Sequence, residues 1–203
     1  MSEMGDTPLP NDVVQAVRHT RVLTDYLLRL DPEATAIEVV AARLAEVVRL
    51  LEPHVHEPQD LVLGGDLAPQ HLVDRSPVTG ILNAIAPPVD FTISRGGKAS
   101  ARTRLGLPYQ GPPGRVHGGW VATLLDHLMG CAAASAGPRF SFTRTLTVDF
   151  DAGVPLFEEL TITGQVEGVE GRKIWMTGDI AVGRSIVARA HGLWLSVGAQ
   201  NLR

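Results

Sequence analysis

The sequence predicts an α+β domain in which one antiparallel sheet wraps a single apolar helix, preceded by a helical extension. Three observations lead there. The second half of the chain holds six short runs of strand character and one long helical candidate, residues 117–136; that candidate is apolar nearly all round; and the first fifty residues carry apolar side chains at helical spacing. A chain of 203 residues suffices for one ordinary domain and an appendage. The boundary is drawn so that 1–75 form the helical extension and connector and 76–203 the sheet domain.

In chain order, Asn11 is a candidate cap for a helix bearing Val13, Val17, Leu23, Leu27 and Leu30. Asp31-Pro32-Glu33 reads as the cap, first-position proline and acidic first turn of a second helix. Its Ile37, Val40, Leu44, Val47 and Leu51 recur at alternating intervals of three and four, a stripe that must pack on the following domain or on another subunit. Glycine and proline then punctuate a connector up to Pro88. Residues 89–94 and 99–107 read as strands joined at Gly96-Gly97, and Gly137-Pro138 ends the helix. Leu146, Val148 and Phe150 alternate with Thr147, Asp149 and Asp151, the period of a half-buried strand. Three more strands, 160–169, 173–182 and 185–197, are separated by tight turns at Gly171 and Gly183.

Composition narrows the function. The net charge is -4, with 18 basic residues and no basic excess of the kind nucleic-acid binding needs. The single cysteine, Cys131, cannot form an intrachain disulfide, and the first ten residues lack the basic and apolar parts of a signal peptide. No uncharged apolar run is long enough to span a bilayer. These features give the expectation of a cytoplasmic protein that uses neither nucleic acid nor membrane. No His/Cys cluster at ligand spacing and no nucleotide fingerprint is present, so neither metal nor cofactor is expected.

The chemistry gathers in residues 109–126, YQGPPGRVHGGWVATLLD. Gly118 and Gly119 stand where a helix begins, so their N–H groups lack intrahelical partners and the helix dipole adds positive potential there. Glycine lets a reacting carbonyl approach the backbone closely, and a fixed N–H donor there stabilises an oxyanion. A sharp loop-to-helix turn would need the same two glycines, but it leaves Asp126 unexplained. That carboxylate lies among Val121, Leu124, Leu125, Leu128 and Met129, where burial without a partner is costly. Either backbone amides or an arginine hold it, or it does chemistry. His127, about 100° further around the helix, cannot pair with its neighbour.

The run from Gly111 to Gly119, with Asp126 nine positions after His117, resembles the hotdog-fold acyl-CoA thioesterases of the phenylacetyl-CoA thioesterase type. The strand order agrees, as does the segment from Thr143 to Leu156. The resemblance covers about residues 80–198. It implies hydrolysis of acyl-CoA thioesters, with Asp126 as nucleophile or general base and the Gly118 N–H as oxyanion donor from a partner subunit. It also implies a homodimer or dimer of dimers. A thiol leaving group needs little protonation help, so one carboxylate and one donor suffice. Thr143 matches the position whose hydroxyl helps hold the carboxylate or water, although a β-branched residue in a strand also serves packing. The motif histidine, His117, shapes the turn. Gln110 is placed to reach the thioester carbonyl, and Tyr109 and Trp120 to line the acyl pocket, with Gly119 beside them. Arg95, Lys98 and Arg102 are candidates for the coenzyme A phosphates, or a solvated basic strand face.

Two other functions compete. Asp66 and His71 resemble the Asp-x4-His dyad of hotdog enoyl-CoA hydratases, but they precede every strand, and Ala68 stands where that motif has asparagine. A non-catalytic acyl-CoA sensor would bind DNA through the N-terminal helices, yet residues 11–56 set five arginines against seven acidic residues.

Overall fold

The computed structural model of the chain describes residues 9–58, 73–136 and 140–197. The chain divides into two compact units, one running to Ser76 with Gly80–Ala84, the other combining Pro77–Thr79 with the chain from Ile85 onward. The connector thus contributes to both units.

In the first unit, α1 spans Asn11–Leu28 and α2 spans Ile37–Leu51, with a 3-10 turn at Glu52–His54. Asn11 does not cap α1: Pro10 occupies that position, and Asn11 is the first helical residue. Nor does Asp31 start α2. Its carboxylate accepts the Glu33 N–H at 3.0 Å, closing a local turn that competes with helix, and α2 begins only at Ile37. Neither helix contains a buried residue. Arg21 of α1 donates to the carbonyls of Gly80 (2.9 Å) and Asn83 (2.7 Å).

The second unit is built on a six-stranded antiparallel sheet of β1 (Val89–Ser94), β2 (Lys98–Arg104), β3 (Ser141–Phe150), β4 (Glu159–Glu170), β5 (Lys173–Val182) and β6 (Ser185–Ser196). Their order across the sheet is β1-β2-β4-β5-β6-β3. Helix α3 (Gly118–Ala136) lies on one face, and the sheet curves around it. Nothing from Trp120 to Ser135 is fully exposed, which is why that helix reads as apolar nearly all round. The alternation in β2, β4 and β5 is sharp: Ala99, Ala101, Leu160, Ile162, Ile174, Met176 and Ile180 are buried, and their neighbours along each strand face outward.

Close approach of helix to sheet depends on two paired glycines. A Cβ on Gly178 would lie 2.7 Å from the Thr163 carbonyl and 2.9 Å from the Met129 sulfur, and one on Gly164 would lie 3.3 Å from Met129 Cγ. The β1–β2 hairpin turns at Gly96 and Gly97 with φ of 83° and 78°, the left-handed pair its sequence implied. Among the described residues no helix is long and apolar enough to cross a membrane.

Candidate active site

The site is built at two levels of α3. At its start the chain makes a tight turn from a 3-10 segment, Leu107–Tyr109, through Gly111–Gly114 into the helix. A Cβ on Gly111 would lie 2.7 Å from His117 Cα, so this loop closes only around glycine. His117 is the cap. Its N–H donates to the Tyr109 carbonyl (2.9 Å), its carbonyl accepts the Trp120 and Val121 N–H groups (2.9 and 3.2 Å), and its ring Nδ1 accepts the Gly119 N–H at 2.9 Å. The neighbouring Gly118 N–H has no acceptor among the described residues. One glycine donor is therefore used and the other is open.

Around this turn, the Gln110 Oε1 accepts the Gly114 N–H at 3.2 Å. Tyr109 is buried, donates its hydroxyl to the Ile85 carbonyl and meets Trp120 edge-on at 5.0 Å. Of the two aromatics only the half-buried Trp120 has a face to offer a ligand; Tyr109 braces it. Phe150, at the end of β3, lies against Gly118.

Two turns further along, Asp126 is half-buried and accepts the Thr143 hydroxyl at 2.7 Å on Oδ1. No arginine or lysine pairs with it among the described residues. The contact depends on an irregularity in β3. Leu146, Val148 and Phe150 pair with Gly192, Ala190 and Ala188 of β6 on the helix-facing side, and strict alternation would then send Thr143 outward. The register slips between Thr143 and Thr145, so that Thr143 pairs with the buried Trp194 and joins the helix-facing set. Regular alternation in the sequence hides this bulge.

His127 turns to another element, as its place on the helix required. Its Nε2 is 3.2 Å from the Thr79 hydroxyl and its ring meets Phe91 edge-on. Burial pushes its pKa below the ordinary histidine value, partly opposed by the Asp126 charge. Burial likewise pushes the pKa of the Cys131 thiol up, which favours its protonated form. Lys98 and Arg102 lie on the outward sheet face, lining two shallow grooves of about 440 and 400 Å³, on the opposite side from α3 and Asp126. The Asp66–His71 pair lies outside the described residues.

Comparison with known proteins bears on this arrangement. Residues 113–188, from the glycine-proline turn into β6, match the Thioesterase superfamily family model. The crystal structure of a thioesterase superfamily protein is 35% identical to the chain, covers 90% of it and 94% of that protein, and superposes with a TM-score of 0.78. The chain belongs to the thioesterase superfamily. Acyl-coenzyme A thioesterase THEM4 of Rattus norvegicus is 38% identical over 72 residues, 36% of this chain and 30% of the rat protein. The match thus spans about a third of that relative's length. The E. coli PaaI protein from the phenylacetic acid degradation operon shares the fold, with a TM-score of 0.51 at 22% identity over 54% of this chain and 80% of that protein. The hotdog architecture expected from the motif is the architecture observed.

Proposed function

We propose that the chain hydrolyses acyl-CoA thioesters, with Asp126 and the Gly118 N–H acting on one thioester from two different subunits. The observation that carries the reading is the pairing of a half-buried, hydroxyl-bonded carboxylate with an open N–H at the start of the same helix. Both belong to α3, but eight residues at ~1.5 Å each put them ~12 Å apart along the axis, too far to touch one carbonyl group. A second copy running the other way brings its Gly118 beside the first copy's Asp126. Strand β3 suits that assembly: it is an edge strand of 10 residues without proline, carrying exposed Phe142 and Phe150 and preceded by exposed Phe140.

In this site the Gly118 N–H binds the thioester oxygen as charge develops on it. Asp126 either takes a proton from water, whose oxygen adds to the acyl carbon, or adds directly to give an anhydride that water then opens. In both routes the carbon–sulfur bond breaks, and the coenzyme A thiolate takes up a proton and leaves. Thr143 holds the carboxylate during this step. Trp120 borders the acyl group, and the Gln110 amide NH₂ faces the thioester. The relative named as an acyl-coenzyme A thioesterase supports coenzyme A as the thiol.

Release of free thiol from short, medium, long and aromatic acyl-CoAs tests the activity; tight binding without release from any of them would favour a sensor. Mixing tests the shared site. Gly118→Pro removes the donor at a first-turn position that tolerates proline, and Asp126→Asn removes the carboxylate. Heterodimers of the two inactive chains hold one site that is native at both positions, so part of the activity should return. Verified heterodimers without recovery would refute the sharing.

A further inference from the structure

We infer that Arg21, in the helical extension, is a positioning residue for the site on α3, and that it acts through the connector without touching the site. The roles given above to Asp126 and Gly118 are its premise. The connector lies outside residues 113–188, which the family model matches. Between Ser76 and Ile85 the chain passes from one compact unit to the other three times, after Ser76, after Thr79 and after Ala84. Every hydrogen bond of the route stays within one unit, and the peptide chain makes the connection.

The pieces of connector that belong to the sheet domain reach both levels of the site. Val78 is buried in the core, and beside it the Thr79 hydroxyl lies 3.2 Å from Nε2 of His127, the residue that follows Asp126. The Ile85 carbonyl accepts the Tyr109 hydroxyl at 3.3 Å, and the Tyr109 carbonyl accepts the N–H of His117, which opens the turn at Gly118. The piece between them, Gly80–Ala84, belongs to the helical unit. There Arg21 Nη2 donates to the carbonyls of Gly80 (2.9 Å) and Asn83 (2.7 Å), charge-assisted bonds that outlast neutral ones. Gly80 follows Thr79 directly and Asn83 stands two residues before Ile85, so one side chain grips the connector next to both contacts. The gripped turn is also tight. The Gly80 N–H donates to the Ser76 carbonyl at 3.0 Å, and a Cβ on Gly80 would lie 2.5 Å from that carbonyl oxygen. Such a turn moves as a body, so a shift at its clamp is passed on to Thr79 and Ile85.

The test uses the full chain and its fastest acyl-CoA substrate. Arg21→Ala should lower kcat ~10-fold with KM changed far less, because the groups it displaces act on the transition state. Both clamp bonds come from one nitrogen, and the buried Nε has no partner among the described residues, so a lysine ammonium can supply the same donors. Arg21→Lys should therefore recover most of the loss, and Arg29→Ala, at an exposed position ending α1, should match the native chain. The His127 ring resonances in NMR report the connector independently of activity. Arg21→Ala should move them toward their positions in Thr79→Val, which keeps the side chain's shape and removes the hydroxyl. Combined, Arg21→Ala and Thr79→Val should cost less than the product of their separate losses, since both loosen one contact. A folded Arg21→Ala with native kcat or native ring resonances, a lysine variant as impaired as alanine, or fully multiplicative losses would each overturn the inference. If Arg21→Ala does not fold, Thr79→Val and Tyr109→Phe leave α1 untouched: reduced kcat in both supports the route, and native kcat in either overturns it. Asp126→Asn separates the premises, because native turnover there refutes the reading of the site while the ring resonances still decide whether Arg21 sets the connector.

Discussion

The two flanks of α3 are held in different ways. On one, Val121, Leu125, Met129 and Ala132 are buried against the sheet, and Met129 lies on Gly164 and Gly178, with no room for an added carbon at Gly178. On the other, Asp126 and His127 are half-buried, each tied by one hydroxyl, Thr143 to the first and Thr79 to the second. The packed flank sets the height and rotation of the helix through excluded volume. The open flank then needs only weak, directional bonds to aim its polar groups. Interiors are dense enough that a shift on the packed flank is transmitted to the other.

The sharpest break separates chemistry from packing. Asp126→Asn keeps the size of the side chain and the packed flank intact while removing the charge, and should cost about a thousandfold in kcat, ~4 kcal/mol, with the unfolding midpoint nearly unchanged. Turnover within tenfold of native would show that the carboxylate serves the fold alone. The converse substitution, Gly178→Ala, attacks the packed flank. Its Cβ would meet the Thr163 carbonyl at 2.7 Å, backbone that cannot swing aside, so stability should fall by about 1–3 kcal/mol in urea titration. If the helix lifts, kcat falls with it although no polar group was touched. Unchanged stability would mean that the sheet bends to accept the carbon.

Between these lies Thr143→Val, which keeps the β-branched shape and removes the hydroxyl. The carboxylate loses the one side-chain donor it has among the described residues, and kcat should drop ~10-fold, about 1.4 kcal/mol, with stability close to native. A loss in stability with native kcat would reassign Thr143 to packing.

How legible all this was in the sequence depended on whether a feature is periodic. Strands β1 to β6 and helix α3 follow from alternation and from turn glycines, because a half-buried surface imposes its period on the chain. Gly118 and Asp126 were legible through the motif. The bulge that turns Thr143 inward was not, since alternation in Leu146, Val148 and Phe150 carries no mark of the slip before it. The ring bond from His117 to Gly119 was hidden for a similar reason: histidine is an unusual cap, and a side-chain acceptor leaves no periodic trace. At Asp31 the cap signal misled, because aspartate closes isolated turns as readily as it starts helices. Tyr109 was assigned to the pocket by residue type, whereas its hydroxyl bond to Ile85 required contact information.

The smallest effect refines the open flank through pH. Burial lowers the pKa of His127, with the Asp126 charge only partly compensating, so the folded value lies below the unfolded one near ~6.5. The unfolded chain then binds more protons than the folded chain once the pH drops below that value, and stability contributed by the neutral ring is complete above it. That contribution is lost as the pH falls through the folded value. His127→Gln retains a polar group for Thr79 but does not titrate, so its urea midpoint should change less than that of the native chain between pH 7 and pH 5. Equal slopes in the two proteins would show that His127 is solvated in solution and that the open flank is looser than its two hydroxyl bonds imply. A native midpoint that rises on acidification would reverse the sign and make the Asp126 charge, rather than burial, the dominant influence on the ring.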